Sequence, residues 1–272
     1  MIITDLNNPK LDVYHKLNEK QLRHFYEPKG GIFIAESYKV IDRALRSGYE
    51  LESILMEEEK AKTKEGQDLI NRAGDRDIYL ASYDSLVNIT GYNLTGGMLA
   101  VFKRKELPDM DSVLSKAKNI AVLENVVNPT NIGAIFRSVA AFNVDGVLLT
   151  KGCADPLERR AIRVSMGNVF ALPWTYMTGD QPCISHRAFE TFKKMDFATM
   201  AMALRGDSYP VDSPVLKEED KKAIIMGTEG EGLRDSTIEE SDYTVLIPMH
   251  HEVDSLNVAA ASAVAIWELT KM

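Results

Sequence analysis

Three short stretches of this 272-residue chain hold the residue types best suited to chemistry. The first is Asn128-Pro129-Thr130-Asn131-Ile132-Gly133-Ala134-Ile135-Phe136-Arg137. Asn131 stands where a helix N-cap is expected, its side-chain oxygen able to satisfy a free backbone N–H. Gly133 and Arg137, four residues apart, share a helical face, which lets a backbone or ligand approach the guanidinium. The plain alternative is a capped core helix with one exposed arginine. The second stretch is Met226-Gly227-Thr228-Glu229-Gly230-Glu231-Gly232-Leu233, after an apolar run. Its glycines suit a backbone that binds a ligand through its own N–H and C=O groups, although a lone glycine cluster also reads as a turn. It lacks the Gly-Lys-Ser/Thr of a Walker A loop and the GxGxxG of a dinucleotide site. The third is Ile247-Pro248-Met249, then His250 to Asp254, then Ser255-Leu256-Asn257 and an alanine-rich run. Ser255 is the expected N-cap of the last helix, and the alanines permit close packing against a neighbour.

Other groups carry weaker signals. Arg163 follows Arg159 and Arg160 by four and three residues, a helical spacing that suits an RNA-phosphate patch or a solvated helix face. Lys103-Arg104-Lys105 reads as linker solvation. His250-His251 with Glu252 and Asp254 invites a metal, but adjacent histidines on an extended chain point opposite ways and no HExxH pattern exists, so a loop and no metal are expected.

The elements that must position these stretches follow from periodicity. From Ile120 onward, short apolar strands alternate with helices: strands at Ile120–Val127, Gly146–Thr150, Ala198–Leu204, Ala223–Gly227 and Tyr243–Ile247, and helices at Asn131–Phe142, Pro156–Met166 and Ser255–Leu269. Such alternation predicts an α/β fold with a mainly parallel sheet covered on both faces. Ligands in these sheets sit beyond the carboxyl ends of strands, so the loops after Val127, Gly227 and Ile247 are the ones to inspect. Residues 1–105 read as a smaller α/β unit. It has a polar helical stretch at Leu17–Arg23, strands at Ile32–Ala35, Leu51–Met56, Ile78–Ala81 and Met98–Phe102, and a helix at Glu36–Arg46. Glu57 to Lys60 reads as a solvated charged surface. Residues 106–118 are the expected linker, with the catalytic domain over 119–272.

Composition narrows the class. The chain is 45% hydrophobic and 26% charged, the usual globular mix, and no apolar run is long enough to span a bilayer. No basic n-region followed by an apolar stretch opens the sequence, and the two cysteines, Cys153 and Cys183, have no CxxC spacing. These features predict a cytoplasmic protein without a disulfide framework. Residues 1–105 hold 16 basic and 16 acidic residues, so the whole net charge of −8 falls in 106–272. An RNA partner must therefore be held by local basic clusters rather than by the overall field.

Together, the three stretches resemble the signature motifs of the SpoU-type RNA ribose methyltransferases of the knotted SPOUT class. The resemblance runs over about 119–272 and includes Gly152-Cys153-Ala154-Asp155-Pro156 and Arg163-Val164-Ser165-Met166-Gly167-Asn168-Val169-Phe170. Residues 1 to about 105 resemble the small ribosomal-protein-like α/β domain often fused in front of these enzymes, through Phe33-Ile34-Ala35-Glu36-Ser37 and the helix to Arg46.

The resemblance implies a C-terminal trefoil knot, S-adenosylmethionine as cofactor, methylation of a ribose 2′-hydroxyl in rRNA (alternatively tRNA), and a homodimer through the C-terminal domain. By position, Gly227, Ile247 and Leu256 match cofactor contacts, with Thr228 and Met249 nearby. Asn131, Arg137, Glu229, Ser255 and Asn257 match the polar residues around the reaction centre. Three positions depart from the common pattern: Thr228 stands for Asn, Asn128 for Asp and Ala259 for Ser. Because arginine stays protonated, Arg137 is read as a phosphate clamp and a stabiliser of alkoxide charge rather than a base, with Glu229 a candidate to orient it. The residues also bear on two other classes. A non-catalytic RNA-binding paralogue is opposed by the intact polar set, and an unrelated nucleotide-binding enzyme by the missing fingerprints.

Overall fold

The computed structural model describes residues 9–15, 21–22, 31–90, 94, 96–179, 182–251 and 255–271. Most of the expected helix at Leu17–Arg23 lies outside them. Contacts divide the chain into two units: Met1–Glu106 with Leu157–Phe170, and Leu107–Pro156 with Ala171–Met272.

The first unit is built on a four-stranded sheet of β1 (Ile32–Glu36), β2 (Leu51–Glu57), β3 (Asp77–Ala81) and β4 (Met98–Lys103), ordered β1-β4-β2-β3. Its helices include α1 (Tyr38–Arg46), α2 (Lys64–Ala73) and α3 (Tyr83–Thr90). Both faces of the sheet are covered, so β1 is buried almost throughout instead of alternating. Ile32 and Ile34 join one core with Leu55, Tyr79 and Leu99. Phe33 stacks on Phe102 at 5.4 Å on the other side and meets Phe170, also at 5.4 Å.

Phe170 shows why Leu157–Phe170 groups with this unit rather than with the rest of 119–272. Arg43 donates to the Met166 carbonyl (2.5 Å) and to Asn168 Oδ1 (3.0 Å), and Ser47 Oγ donates to the Phe170 carbonyl (2.9 Å). The helix Arg159–Val164, shorter than the expected Pro156–Met166, lies in this segment. One further expectation changes here. Lys103 ends β4 and pairs with Glu50 (2.8 Å) and Glu52 (3.0 Å), and Lys105 sits 4.5 Å from the Tyr49 ring centre, so both belong to the unit and not to a solvated linker. Residues 57–60, expected as a charged surface, are at least partly exposed, and Glu58–Ala61 form a helical turn with Ala61 buried.

The second unit holds a seven-stranded, wholly parallel sheet. Its strands are β5 (Asn119–Leu123), β6 (Gly146–Leu149), β7 (Trp174–Tyr176), β8 (Ala198–Met202), β9 (Tyr209–Pro210), β10 (Lys222–Met226) and β11 (Tyr243–Leu246). The spatial order is β7-β6-β5-β10-β8-β11-β9. After β5 the chain builds to one side, and it then returns to place β8, β10 and β11 on the other. The strand order thus switches beside β5, the place where open parallel sheets bind ligands. β5 and β10 are fully buried, as continuous apolar strands in a covered sheet must be.

The longer helices are α4 (Pro129–Val139), α5 (His186–Lys194) and α6 (Val258–Thr270), and α6 packs on α4. Part of the expected linker is a short helix, Met110–Leu114, capped by Asp109, with Met110, Val113 and Leu114 buried in this unit's core. Their i, i+3, i+4 spacing is the apolar stripe of a packed helix. Among the described residues no helix is long and apolar enough to cross a membrane.

In the first unit Asp42 of α1 clamps α2. It accepts from Arg72 at 2.8 Å and from Arg46 at 3.1 Å. Burial pushes its carboxyl up, but the two guanidinium groups more than offset this and hold it below the usual carboxylate range. A depressed acid contributes stability that is present above its unfolded pKa and lost as pH falls through the folded one. Asp42→Ala is therefore expected to lower unfolding free energy by about 1–3 kcal/mol at pH 7, with the deficit shrinking below about pH 4. Urea titrations of both proteins at the two pH values test this, and a deficit that grows in acid contradicts it.

Candidate active site

The carboxyl ends of β8, β10 and β11 open into a cavity of about 640 Å³. Its floor is apolar, from Met202, Met226, Val245 and Ile238, and Leu204 (59% exposed) and Leu256 (39%) leave apolar surface at its rim. All five residues expected to hold the cofactor line it: Gly227, Thr228, Ile247, Met249 and Leu256. Glu229, Ser255 and Asn257 line it as well.

The loop after β10 owes its shape to its glycines. A Cβ on Gly227 would lie 2.3 Å from the backbone carbon of Gly232, so only glycine permits the loop to close there. Gly232 N–H donates to the Thr228 carbonyl at 3.1 Å, and Gly232 has φ +71°, a conformation that costs L side chains energy. The turn leaves the Glu229 side chain exposed beside the cavity.

The last helix is capped by Asn257, not by the expected Ser255: Asn257 Oδ1 accepts from Ala259 N–H at 2.9 Å. Its Nδ2 donates to Asn131 Oδ1 at 3.2 Å and also to Glu229 Oε1. One amide thus joins the loops after β5, β10 and β11. Asn131 is buried within the first turn of α4 and is not its cap. The cap is Asn128, accepting from Thr130 N–H at 2.9 Å, with Pro129 at the first helical position. Proline there already fixes a helical φ and needs no N–H, and the cap lies three residues ahead of the expected one. An amide caps as well as the carboxylate it replaces, so the Asn128 departure costs the helix little.

Arg137 stays outside this cluster. It is exposed, does not line the cavity and forms no ion pair with Glu229, whose partner is Asn257. Gly133, on the same helix, is buried. Arg159, Arg160 and Arg163 lie in the first unit, where Arg159 donates to the Tyr14 carbonyl at 3.4 Å while Arg160 and Arg163 are exposed. His250 and His251 sit with ring centres 6.4 Å apart, and Glu252 and Asp254 lie outside the described residues. Among the described residues no three His, Cys, Asp or Glu side chains converge on one point.

Sequence reasoning missed Glu124. Its carboxyl, 1% exposed just past β5, accepts from Arg234 N–H (2.9 Å), Ile184 N–H (3.1 Å) and Thr237 Oγ1 (2.5 Å). These contacts hold the start of the helix Asp235–Glu240, which with Leu233 and Ile238 walls the cavity. The signal was present: an acid inside the apolar run Ile120–Val127 must find donors once buried. Cys153 does similar work nearby. Its thiol accepts from Val126 N–H (3.3 Å) and donates to the Leu123 carbonyl (3.2 Å), and burial pushes its pKa up. Both cysteines are free.

Residues 118–267 match the model of the SpoU rRNA Methylase family. The chain is 34% identical to an uncharacterized tRNA/rRNA methyltransferase of Mycobacterium bovis, over 99% of this chain and 91% of that one. It is 25% identical to the 23S rRNA (guanosine(2553)-2′-O)-methyltransferase RlmP of Bacillus subtilis, over 98% of each. A solved AdoMet-bound rRNA methyltransferase from Sinorhizobium meliloti shares the fold, with a TM-score of 0.79 at 21% identity, covering 99% of this chain and 97% of that one.

Removing the Glu124 carboxyl strands three donors beneath the cavity wall. Glu124→Ala is expected to cost about 2–5 kcal/mol, and Glu124→Gln, which keeps one acceptor, clearly less. Denaturant unfolding of the three proteins decides, and a loss under about 0.5 kcal/mol for the alanine variant removes Glu124 from this role.

Proposed function

The chain belongs to the SpoU rRNA methylase family, and from that premise we propose that it methylates a ribose 2′-hydroxyl of ribosomal RNA with S-adenosylmethionine. The observation that carries this reading is the meeting of Asn131, Glu229 and Asn257 at the edge of a cavity lined by the expected cofactor residues. The cavity suits the cofactor: about 640 Å³ falls inside the usual range for small-molecule sites, and its apolar floor suits an adenine ring. The RlmP likeness, which runs the length of both chains, favours rRNA over tRNA.

When bound, the cofactor supplies an electrophilic methyl on a sulfonium. The protein's task is to hold the 2′-oxygen in line and to favour charge developing on it. Asn257 locks Glu229 and Asn131 in one geometry at no further entropic cost during the reaction. Ser255 stands beside them to position the ribose. Arg137, exposed and outside the cavity, acts in this reading as a clamp on the phosphate of the bound strand, where its planar fork suits two oxygens. Residues 1–105, together with Arg159, Arg160 and Arg163, provide RNA recognition in the cytoplasm. The trefoil knot belongs to the same reading, supported by the insertion of β10 between β5 and β8.

We also propose a homodimer through the second unit. One face of α6 is buried through Ser262, Ala265, Ile266 and Leu269, yet its other side shows Trp267 (56% exposed) and Val264 (42%). Trp267 packs edge-on to Phe142 at 5.4 Å, which extends the apolar surface. Such a patch on a helix that already has a core face marks an interaction surface.

Two outcomes are expected. Mapping 2′-O-methyl sites in rRNA and tRNA with and without the gene should reveal one rRNA ribose that depends on it. In single-turnover assays Arg137→Ala should be slower by roughly 10²–10³-fold with cofactor affinity and melting temperature nearly unchanged. A rate within about threefold of the parent, under one kcal/mol of barrier, rejects the arginine's role. For the assembly, sedimentation of the full chain at tens of micromolar should report a dimer and Trp267→Asp a monomer. A monomeric parent sinks the dimer.

A further inference from the structure

Among the described residues, four charged side chains line the cavity: Arg205, Glu229, Glu231 and Asp235. Glu229 is engaged by Asn257. Arg205 is the only cation among them, and it forms an ion pair with Asp235. The pair stands apart from the polar cluster in the chain, on the loop after β8 and at the first residue of the helix Asp235–Glu240.

Both partners are braced from behind. Ser208 closes a turn around Arg205, accepting from Arg205 N–H at 3.0 Å, donating through its own N–H to the Arg205 carbonyl at 3.2 Å, and donating through Oγ to the Ala203 carbonyl at 3.2 Å. Asp235 lies between Arg234 and Thr237, which the buried Glu124 holds at 2.9 and 2.5 Å. An exposed ion pair contributes little to stability, so this much bracing at a cavity wall calls for another use.

S-adenosylmethionine has a single zwitterionic end, where an α-carboxylate and an α-ammonium share one carbon. Among the described residues of the cavity lining, only Arg205 and Asp235 present a cation and an anion side by side. We propose that this pair receives the amino-acid end of the cofactor, Arg205 taking the carboxylate and Asp235 the ammonium. The inference rests on the reading that the cavity holds S-adenosylmethionine. A zwitterion set against an ion pair exchanges one set of charge-assisted hydrogen bonds for another, so neither protein charge is left alone. The nucleoside end then falls to the apolar floor. Arg205 and Asp235 act as specificity residues: they distinguish the full cofactor from nucleosides that lack its amino-acid end.

Four thioether adenosines separate the two charges: S-adenosylhomocysteine, with both; 5′-(3-aminopropylthio)adenosine, with the ammonium only; 5′-(3-carboxypropylthio)adenosine, with the carboxylate only; and 5′-methylthioadenosine, with neither. Calorimetry on the full-length parent, Arg205→Ala, Arg205→Lys and Asp235→Asn reads all sixteen affinities. Arg205→Ala should weaken the two carboxylate-bearing ligands roughly tenfold and leave the other two within about twofold, the size of one charge-assisted hydrogen bond. Asp235→Asn should weaken the two ammonium-bearing ligands and spare the carboxylate-only one. Arg205→Lys should recover part of the loss, since it keeps the charge without the fork. If either alanine or asparagine variant weakens all four ligands alike, the pair is merely structural. If neither changes any of them, or Arg205→Ala changes only RNA affinity, the pair does not touch the cofactor. A parent protein that binds none of the four overturns the cofactor reading itself, an outcome distinct from the others.

Discussion

One side-chain amide, that of Asn257, sets the geometry of the polar cluster. Parallel strands end in loops whose backbone groups have no ladder partner, so something else must fix where those loops lie. Asn257 spends its oxygen on the first turn of α6 and its nitrogen on Asn131 and Glu229. A helix cap and the link between Asn131 and Glu229 are therefore the same residue. Moving α6 by one turn would lose the cap, release Glu229 and leave Asn131, buried in α4, without that donor. Neither aspartate nor serine can replace it: each would cap the helix, but neither has an NH₂ to span the other two loops.

The same economy appears below the cavity. Glu124 and Cys153 sit in the segments that follow β5 and β6, and each accepts backbone N–H groups that no strand can reach. Glu124, through Arg234 and Thr237, and Gly227, whose missing side chain admits Gly232, make the cavity wall from backbone held by a few buried residues. Fixing the wall in the folded protein lowers the ordering cost that a ligand would otherwise pay on binding, which is the physical content of preorganisation. Its cost is intolerance. Glu124 and Gly227 cannot be exchanged without stranding donors or driving a Cβ into backbone.

How much of this was legible in the sequence depended on whether the signal was local. The parallel sheet announced itself because β5, β8, β10 and β11 are short apolar runs, each found within a few residues of its expected limits. The five positions expected to hold the cofactor, with Asn131, Glu229, Ser255 and Asn257, were named through the likeness of the three stretches to the family's motifs, and the cavity and the Asn257 contacts gather them. The caps were misjudged by two or three residues on both α4 and α6, because Asn128, Asn131, Ser255 and Asn257 are all competent caps and only the helix geometry chooses. Pairings across the chain had no local signal at all. Glu124 with Thr237, 113 residues on, and Arg205 with Asp235, 30 residues on, exist only once the sheet order is known.

The division of the chain makes the same point at larger scale. Reading along the sequence puts a boundary near residue 106 and treats everything after 118 as one domain. The contacts instead return Leu157–Phe170 to the first unit, so the backbone passes between units at 106/107, 156/157 and 170/171. The reason is apolar: Phe33 of β1 stacks on Phe102 of β4, and Phe170 packs against Phe33 and Tyr49 at 5.4 and 5.2 Å. Burying a phenylalanine there is worth about 1.5–3 kcal/mol, a sizeable share of the stability of a unit this small. Arg43 and Ser47 then satisfy the carbonyls that the returning segment brings with it. A cut at residue 106 therefore does not separate two finished domains: it takes Phe170 from Phe33 and Tyr49 and leaves the second part with fourteen residues that belong to the first unit.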